Sequence, residues 1–340
     1  MTDQVRRIAV VGATGAVGEA LLEILHERSF PASEVVALAS ERSAGDSLRY
    51  GNRPLTERNL ADYDFAGTDI AFFSAGGAVS AEHAPRAAAA GVVVIDNTSH
   101  FRNEPEVPLV VSEVNPEAIA QRPRGIIANP NCSTMQMLVA LAPIHRVVGI
   151  ERIEVATYQS VSGAGRSAME ELGRQTARML AFQDPAPERF PVQIAFNLIP
   201  HIDAFEDNGY TREEMKMVRE TRKILADERI EVNPTCVRVP VFYGHALACH
   251  VRTRAPLAVD AARALLAGAP GIELVDGREP GAYPTPVTHA AGTDPVYVGR
   301  LRQDLGSDRG LNLWIVADNI RKGAALNAVQ IAELLIKGVA

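Results

Sequence analysis

Residues 8–18 read Ile-Ala-Val-Val-Gly-Ala-Thr-Gly-Ala-Val-Gly. The apolar run predicts a short buried strand, and the apolar spacing of residues 16–27 predicts a helix directly after the glycines. Glycines let the chain turn tightly and let backbone N–H groups approach a pyrophosphate, which the positive end of a helix dipole also attracts. In this strand–loop–helix setting the GxxGxxG spacing favours a dinucleotide site; a tight turn without a ligand is the alternative.

The rest of the first third of the chain repeats this order of strand and helix. Short apolar runs predict strands, and the alanine-rich residues 80–90 predict a helix that ends at Gly91. The predicted strands cover residues 35–39, 69–73, 92–95, 109–111 and 125–128. Continuous apolar strands separated by helices are typical of a parallel sheet covered on both faces. The predicted fold class of this part is therefore α/β, a Rossmann-like, doubly wound parallel sheet.

The pattern changes after about residue 150. Longer segments of alternating polarity predict strands at residues 151–159, 192–197, 236–242, 246–254 and 311–316, with helices at residues 166–181 and 212–227. The second of these helices follows Thr-Arg-Glu-Glu at residues 211–214, which predicts a capping box. The mixture predicts a second, α+β domain. A last helix over residues 321–338 is predicted to pack back onto the first domain.

Composition limits the classes of protein that the chain can form. Its 340 residues are 47% hydrophobic and 22% charged, which predicts about two globular domains and argues against a disordered chain. The net charge of −7 argues against nucleic-acid binding, which requires a basic surface. No segment is long and apolar enough to cross a bilayer, and the apolar run at residues 8–11 is too short for a signal peptide. The sequence therefore predicts a cytoplasmic protein.

The three cysteines, Cys132, Cys236 and Cys249, are too few for a disulfide framework and fit a reducing compartment. The chain has no CxxC or HExxH motif, so no metal site is predicted. Cys236 and Cys249 lie inside apolar runs and are predicted to be core residues. Cys132 differs, because Asn-Pro-Asn at residues 129–131 precedes it and an apolar helix follows. The positive end of that helix lowers the pKa of a thiol, so Cys132 is predicted to be a nucleophile.

A thiolate beside a nicotinamide predicts aldehyde–acyl interconversion, because it forms a thioester whose carbon accepts or gives up hydride. The end of the second predicted strand carries the residues that select the nucleotide. Glu41 suits the ribose hydroxyls of NAD, whereas the neighbouring Arg42 and Ser43 suit the 2′-phosphate of NADP. An arginine fork matches a phosphate that a carboxylate repels, so NADP is favoured; a solvated turn is the alternative.

Three segments together resemble one family. They are Gly-Ala-Thr-Gly-Ala-Val-Gly at residues 12–18, Asn-Pro-Asn-Cys-Ser-Thr at 129–134 and Arg-Val-Pro-Val-Phe-Tyr-Gly-His at 238–245. From about residue 6 to residue 335 the chain is similar to the aspartate-β-semialdehyde dehydrogenases, in the bacterial branch that carries the second motif. N-acetyl-γ-glutamyl-phosphate reductases share the fold but carry Gly-Cys-Tyr around the nucleophile. They are one alternative, and a non-catalytic NADP-binding protein is the other.

The resemblance implies NADPH-dependent reductive dephosphorylation of L-aspartyl 4-phosphate to L-aspartate 4-semialdehyde through a cysteine thioester. That reaction serves lysine, diaminopimelate, threonine, methionine and isoleucine biosynthesis. The resemblance also implies an NADP-binding domain of residues 1–131 and 318–340, and a catalytic and dimerisation domain of residues 132–317. The implied assembly is a homodimer or a tetramer that acts on aspartyl phosphate and phosphate, with neither nucleic acid nor membrane as a partner.

The resemblance also implies which residues form the site. Cys132 is the nucleophile, and His245 is the general acid and base. Gln159 orients the substrate beside Cys132, and Asn131 is placed to donate to the developing oxyanion. The positions that match cofactor contacts are Gly12, Thr14, Gly15, Ala16, Val17, Arg42, Ser43, Ser162, Gly163 and Asn319.

The charges of the substrate need opposite charges in the site. Arg238 lies in an apolar run; the resemblance assigns it the α-carboxylate, and an internal salt bridge is the alternative. Arg102 and Lys216 match phosphate contacts, and Glu213 matches the contact to the amine. Glu213 and Lys216 are three residues apart on a predicted helix, so an exposed ion pair is their alternative. A straight strand would point Arg238 and His245 to opposite faces, so the sequence does not predict how they meet.

Overall fold

The computed structural model describes residues 6–41, 45 and 47–338, which form two compact units. The first unit comprises the chain up to Pro130 and again from Ala324. Up to Pro130 its elements are β1 (Arg6–Val11), α1 (Ala16–Glu27), β2 (Ala32–Ala39), β3 (Ser47–Tyr50), β4 (Arg53–Thr56), β5 (Arg58–Asn59), β6 (Ile70–Phe73), α2 (Gly77–Ala89), β7 (Val93–Asp96) and β8 (Ile126–Ala128).

Six strands of the first unit form one parallel sheet in the order β5-β2-β1-β6-β7-β8. Residues 8–11 of β1 are completely buried, as are Leu21, Ile24 and Leu25 on one side of α1. The predicted Rossmann-like, doubly wound sheet is therefore confirmed. The chain leaves β1 to one side for β2 and then returns to the other side for β6. This reversal opens a crevice at the carboxyl ends of the strands, where nucleotides bind in such folds.

Some details of the first unit differ from the sequence prediction. Neither the antiparallel hairpin of β3 and β4 nor the short strand β5 was predicted. Residues 109–111 do not form a strand, because Leu109 makes only one isolated bridge to Ala128. Val111 instead donates its N–H to the Asn115 side chain.

The second unit runs from Asn131 to Gly323. Its elements are α3 (Cys132–Val148), β9 (Ile150–Gln159), α4 (Arg166–Leu180), α5 (Arg212–Leu225), β10 (Glu231–Arg238), β11 (His245–Thr253), α6 (Val259–Ala267), β12 (Ile272–Leu274), β13 (Val296–Gln303) and β14 (Gly310–Ala317). The six strands form a mixed sheet in the order β10-β9-β11-β14-β13-β12, with α3 and α6 packed against it. β9 pairs in parallel with β10 and antiparallel with β11, which confirms a mixed second domain.

The predicted strand at residues 192–197 is wrong. Ile194 and Ala195 donate their N–H groups to the side-chain oxygen of Gln175 rather than to a neighbouring strand. Phe196 has a φ of 58°, which an extended strand does not allow. Ile194 and Ala195 are buried in an apolar cluster with residues of α4, and this packing explains the apolar pattern.

Other boundaries in the second unit also shift. β10 ends at Arg238, because Pro240 has no N–H group to continue a ladder. β12 and β13 were not predicted; β13 contains Gly299 and two exposed arginines, which obscure its alternation. The capping box of α5 is confirmed: Glu214 N donates to Thr211 Oγ1 at 3.3 Å, and Thr211 N donates to Glu214 Oε2 at 2.7 Å.

The C-terminal segment returns to the first unit. Residues Arg321–Ala325 form a π-helical turn, and α7 (Leu326–Lys337) follows, so the α-helix begins later than predicted. Within the first unit, Arg28 holds the carboxylate of Glu333 on α7 through two hydrogen bonds of 2.7 and 2.8 Å. Among the described residues, no helix has the length and apolar character that crossing a membrane requires.

Candidate active site

The first unit contains a cavity of about 580 Å³ at the carboxyl ends of β1, β2 and β6. Gly12, Thr14 and Gly15 line it on one side, and Glu41 and His83 on another. Gly15 is the N-cap of α1 and supplies no capping side chain, so the first N–H groups of the helix remain available to a ligand. A phosphate group has the charge and the acceptors that such a helix start requires, so the cavity fits a dinucleotide.

Steric contacts also explain why this loop contains glycines. Gly12 has a φ of +83°, and a Cβ atom there would lie 2.9 Å from the backbone of Ala75. A Cβ at Gly18 would lie 2.1 Å from the carbonyl oxygen of Gly12. Both positions therefore require glycine, which brings β1 and α1 close together below the cavity.

The predicted cofactor residues are distributed over both units. Ala16 and Val17 form the first turn of α1, next to the residues that line the cavity. Arg42 and Ser43, predicted to hold the 2′-phosphate, lie outside the described residues. Sequence reasoning did not single out His83; it lines the cavity, and burial lowers the pKa of its imidazole. No sequence signal distinguished this histidine.

Cys132 is the first residue of α3, as predicted. Asn131 is the N-cap, and its side-chain oxygen accepts hydrogen bonds from the N–H groups of Ser133 at 2.9 Å and Thr134 at 3.2 Å. Cys132 is partly exposed, whereas Cys236 and Cys249 are buried. Burial raises the pKa of the Cys249 thiol to about 12 and also raises that of Cys236. Of the three thiols, only Cys132 therefore combines access with a helix start, the setting that favours a thiolate.

A buried carboxylate connects several predicted site residues. Glu213 Oε1 accepts hydrogen bonds from Asn131 Nδ2 at 2.8 Å and from Gln159 Nε2 at 3.2 Å, and Glu213 Oε2 contacts Lys216 Nζ at 3.1 Å. Burial alone would raise the pKa of this carboxyl. The Lys216 charge and these hydrogen bonds outweigh burial and hold the pKa below its ordinary value. Glu213 is therefore an anion in the site, and the pair is not solvent-exposed.

Two carboxylates that sequence reasoning missed complete this arrangement. Asp203 Oδ2 contacts Lys216 Nζ at 2.9 Å from a turn in which Asp203 has a φ of 68°. Glu220 Oε2 accepts the N–H of Asn131 at 2.6 Å. The spacing of Glu213 and Glu220 on α5 was the only available signal, because residues seven apart lie on one face of a helix.

Arg238 and His245 converge because β9 lies between their strands. Arg238 pairs in parallel with Gln159, and the antiparallel pairing of Ala246 with Tyr158 places His245 level with Gln159. Directly paired residues share a face of the sheet, so all three side chains point the same way. The odd spacing along the chain has no effect, because residues 239–244 lead from one strand to the other.

Gly163 lies where these two side chains meet. A Cβ there would lie 3.1 Å from Arg238 Nη1 and 3.3 Å from His245 Nε2. Arg238 Nη1 also donates to the carbonyl oxygen of Ser160 at 2.7 Å. Burial lowers the pKa of the guanidinium, and the charge of Glu213, together with that of Cys132 when it is ionised, counteracts this. The thiol at the start of α3 is thus within electrostatic reach of Arg238.

The hydrogen bonds of His245 determine its tautomer. Ser160 N donates to His245 Nδ1 at 3.1 Å, so in the neutral ring the proton resides on Nε2. Burial, with the nearby Arg238 charge, lowers the pKa of His245 to about 3, so the ring is neutral at physiological pH. Nε2 is buried and makes no hydrogen bond within the described chain. The geometry therefore makes His245 a hydrogen-bond donor through Nε2–H.

Asn319 and Ser162 form a polar network beside His245. Asn319 Oδ1 accepts hydrogen bonds from the Gly244 N–H at 3.0 Å, from Ser160 Oγ at 3.0 Å and from Ser162 Oγ at 3.2 Å. Asn319 Nδ2 donates to Ser162 Oγ at 3.0 Å. These buried contacts fix the turn that leads into His245. Asn319 and Ser162 thus have a structural role beside the cofactor contacts predicted for them.

Arg102 belongs to the first unit, whereas the residues just described belong to the second. It is buried, and its Nη2 donates to the carbonyl oxygen of Asn97 at 3.1 Å, just after β7. Its charge also stabilises the carboxylate of Asp96, although burial keeps the pKa of Asp96 raised. Its predicted phosphate contact remains a prediction. Among the described residues, no group of three or more His, Cys, Asp or Glu side chains is arranged to hold a metal ion.

The fold and the site together define a class: a nucleotide-binding oxidoreductase whose second unit carries a thiol at a helix start. Comparison with known proteins specifies the class further. Residues 7–122 match the family described as "Semialdehyde dehydrogenase, NAD binding domain", and residues 141–322 match "Semialdehyde dehydrogenase, dimerisation domain". A pyridine nucleotide is thus the cofactor type of the first unit.

Similar proteins agree with these matches. Aspartate-semialdehyde dehydrogenase 2 of Vibrio cholerae is 59% identical over 331 residues, 97% of each chain. The enzyme of Legionella pneumophila is 58% identical over 331 residues, covering 96% of this chain and 95% of that one. A crystal structure of Vibrio cholerae aspartate semialdehyde dehydrogenase II complexed with ASA superposes with a TM-score of 0.96 at 58% identity, covering 98% and 99% of the two chains. The chain belongs to the aspartate-semialdehyde dehydrogenase family.

Proposed function

We propose that the protein reduces L-aspartyl 4-phosphate to L-aspartate 4-semialdehyde with NADPH, through a thioester on Cys132. The family membership supports the reaction. The observation that carries it is the arrangement around the helix start, where the accessible thiol lies within electrostatic reach of Arg238, and Asn131, its N-cap, is bound to Glu213. Neither alternative, the N-acetyl-γ-glutamyl-phosphate reductase or the non-catalytic NADP-binding protein, receives support from the comparisons.

The charged side chains match the charges of this substrate. The buried Glu213 anion suits the substrate ammonium, and the Arg238 fork suits its α-carboxylate. In this proposal Lys216 and Arg102 bind the phosphate. Lys216 already contacts Asp203, so a bound phosphate would either displace the Asp203 carboxylate from Lys216 or share Lys216 with it. Gln159 lies level with both Arg238 and His245 and would orient the acyl group between them.

The proposed reaction proceeds in two stages. The Cys132 sulfur attacks the acyl carbon of the substrate, the carbon–oxygen bond to phosphate breaks, and inorganic phosphate leaves with the bonding pair. The nicotinamide cofactor, when bound, supplies the hydride that reduces the thioester carbon. In this proposal His245 Nε2–H and the second hydrogen of Asn131 Nδ2 stabilise the oxygen on that carbon as it becomes negative. Collapse of the hemithioacetal then breaks the carbon–sulfur bond and restores the thiolate.

Cofactor choice, assembly and location are part of the same proposal. NADP is favoured by Arg42 and Ser43 in the sequence, and a 25% identical Candida albicans enzyme has been crystallised with NADP, with a TM-score of 0.76 and 98% coverage of both chains. The dimerisation-domain match favours a homodimer. A thiol nucleophile functions in a reducing compartment, so the cytoplasm is the proposed location. The product would feed lysine, diaminopimelate, threonine, methionine and isoleucine synthesis.

The test is a reverse assay with phosphate and either semialdehyde. Purified protein is given NADP or NAD together with L-aspartate 4-semialdehyde or N-acetyl-L-glutamate 5-semialdehyde, and reduced nucleotide is measured. We expect phosphate-dependent turnover with the aspartate compound and a higher kcat/KM with NADP than with NAD. Preference for the N-acetyl compound, or nucleotide binding without any turnover, would instead establish one of the two alternatives.

A further inference from the structure

A second cavity, of about 500 Å³, lies in the second unit beside the start of α6 and along β13. We call it the arginine pocket; its charged lining residues are Asp260, Arg263, Asp276, Arg278, Arg300 and Arg302. No residue assigned above to substrate, cofactor or catalysis lines it. Its volume is that of an ordinary small-molecule site.

The charges of the arginine pocket are unbalanced. Arg263 uses both of the carboxylates: its Nε and Nη2 donate to Asp276 Oδ2 at 3.0 and 2.8 Å, and its Nη1 donates to Asp260 at 2.6 Å. Within the described chain, Arg278, Arg300 and Arg302 have no carboxylate within ion-pair distance. These three guanidinium groups are exposed, so solvent weakens but does not abolish the repulsion between them around the cavity, in a chain whose net charge is −7. An anion in the cavity would remove that repulsion.

The backbone of the pocket is held in an unusual conformation. The pairing of β13 with β14 shifts register between Gly299 and Arg302, and within this bulge Arg300 has a φ of 54°. Left-handed backbone is unfavourable for a residue with a side chain and persists where surrounding contacts enforce it. Asp276 is one such contact, because its Oδ1 accepts the N–H of Leu301 at 2.9 Å.

The same carboxylate therefore fixes two parts of the pocket. The Asp276 side chain is almost fully buried; it holds the Arg263 fork on one side and the bulge that carries Arg300 on the other. Arg302 Nη1 donates to the backbone carbonyl oxygen of Arg300 at 2.7 Å, which holds the Arg302 side chain against the bulge. Bulges of this kind redirect side chains and recur next to binding sites.

We propose that the arginine pocket binds a small phosphorylated anion with two or more negative charges. Planar guanidinium forks match phosphoryl oxygens in pairs, whereas a neutral or cationic ligand would leave the repulsion unrelieved. Arg278, Arg300 and Arg302 contact the ligand, and Asp276 positions the bulge and Arg263. The site is separate from the residues around Cys132, so its existence does not depend on the proposed reaction.

Hydrogen–deuterium exchange with pyrophosphate as the probe tests this proposal. The reference is the same protein in sodium chloride of equal ionic strength, which controls for screening. We expect pyrophosphate to slow exchange in peptides that cover residues 276–278 and 299–303. Replacing Arg300 with glycine and Arg302 with glutamine removes two charges, and glycine also relieves the strain at position 300. In this double variant, the pyrophosphate concentration that gives half-maximal protection should rise by about tenfold or more.

A matched control uses an exposed arginine of the first unit. Arg49→Gln removes one charge from the β3–β4 hairpin and should leave the pyrophosphate concentration for half-maximal protection unchanged. Turnover should be unaffected in all these variants, because none of the changed residues belongs to the proposed catalytic site. The proposal would be overturned if sodium chloride gave the same protection, or if protection appeared only in peptides around Cys132. Protection that is unchanged in the double variant would also overturn it. Absence of any protection would overturn it as well.

Discussion

At the scale of single residues, the chemistry depends on which of three thiols is reactive. Cys132→Ala removes the sulfur that forms the thioester, so we expect kcat to fall by about 10³-fold or more. Binding of NADP should change little, because the nucleotide cavity of the first unit contains no part of this side chain. Cys249→Ala is the control and should retain turnover, since its buried thiol has a pKa raised to about 12. Phosphate-dependent turnover in Cys132→Ala would contradict the mechanism.

His245 predicts a dependence of stability on pH. In the native protein its pKa is about 3, against 6.5 for an unperturbed imidazole. Between these values the unfolded state binds more protons than the native state, so the free energy of unfolding rises with pH. The stabilisation is complete above pH 6.5 and is lost as the pH falls toward 3. One such group contributes a slope of at most about 1.4 kcal/mol per pH unit.

The measurement is urea unfolding at several pH values between these two pKa values. We expect His245→Gln to reduce the slope of unfolding free energy against pH relative to the wild type. Its absolute stability is not the readout, because the substitution also changes packing. Equal slopes in the two proteins would show that His245 is not held neutral by the fold.

At the scale of secondary-structure elements, α5 fixes the start of α3 through Asn131. Glu213 holds the Asn131 side chain, and Glu220 accepts its backbone N–H. Glu220→Ala would leave that buried N–H without this acceptor, at a cost of about 1–3 kcal/mol. It would also displace Cys132 from its position, and small misplacements of reacting groups lower rates by about 10²-fold. Glu220→Gln keeps an acceptor oxygen and should recover most of the loss.

The readouts for Glu220 are kcat and KM, together with the rate of Cys132 alkylation. A fall in kcat and in alkylation rate with little change in KM is expected for a residue that positions the nucleophile. A variant with wild-type kcat and a raised KM would mean that Glu220 acts on substrate binding instead.

The elements also explain what the sequence can predict. The start of α3 at Cys132 and the capping box of α5 follow from local side-chain chemistry, and both were predictable. The convergence of Arg238 and His245 was not, because it depends on β9 lying between β10 and β11, a pairing between distant segments. Asp203 and Glu220 were missed for the same reason: neither lies in a local motif, and their partners come from other parts of the chain.

At the scale of the whole molecule, the two-unit organisation was predictable because each unit has its own hydrophobic pattern. The second unit also exposes part of its sheet. Ala156, Ala248 and Trp314 lie in one row across β9, β11 and β14, on the face opposite the buried row that contains Cys249. All three are only half-buried. An apolar row of this kind, in the domain that matches a dimerisation family, is the surface that we expect a second copy to cover.

If a second copy covers this apolar row, a charged side chain introduced into the row should separate the subunits. We expect the wild-type protein to sediment at twice the chain mass of 36.5 kDa. Ala248→Arg should shift it toward the monomer, because a two-fold interface places the new charge against its symmetry copy or against apolar surface. Ala89→Arg makes the same change on the exposed end of α2 in the first unit and should remain dimeric. A dimer that persists in Ala248→Arg with unchanged affinity would place the interface on another face of the second unit.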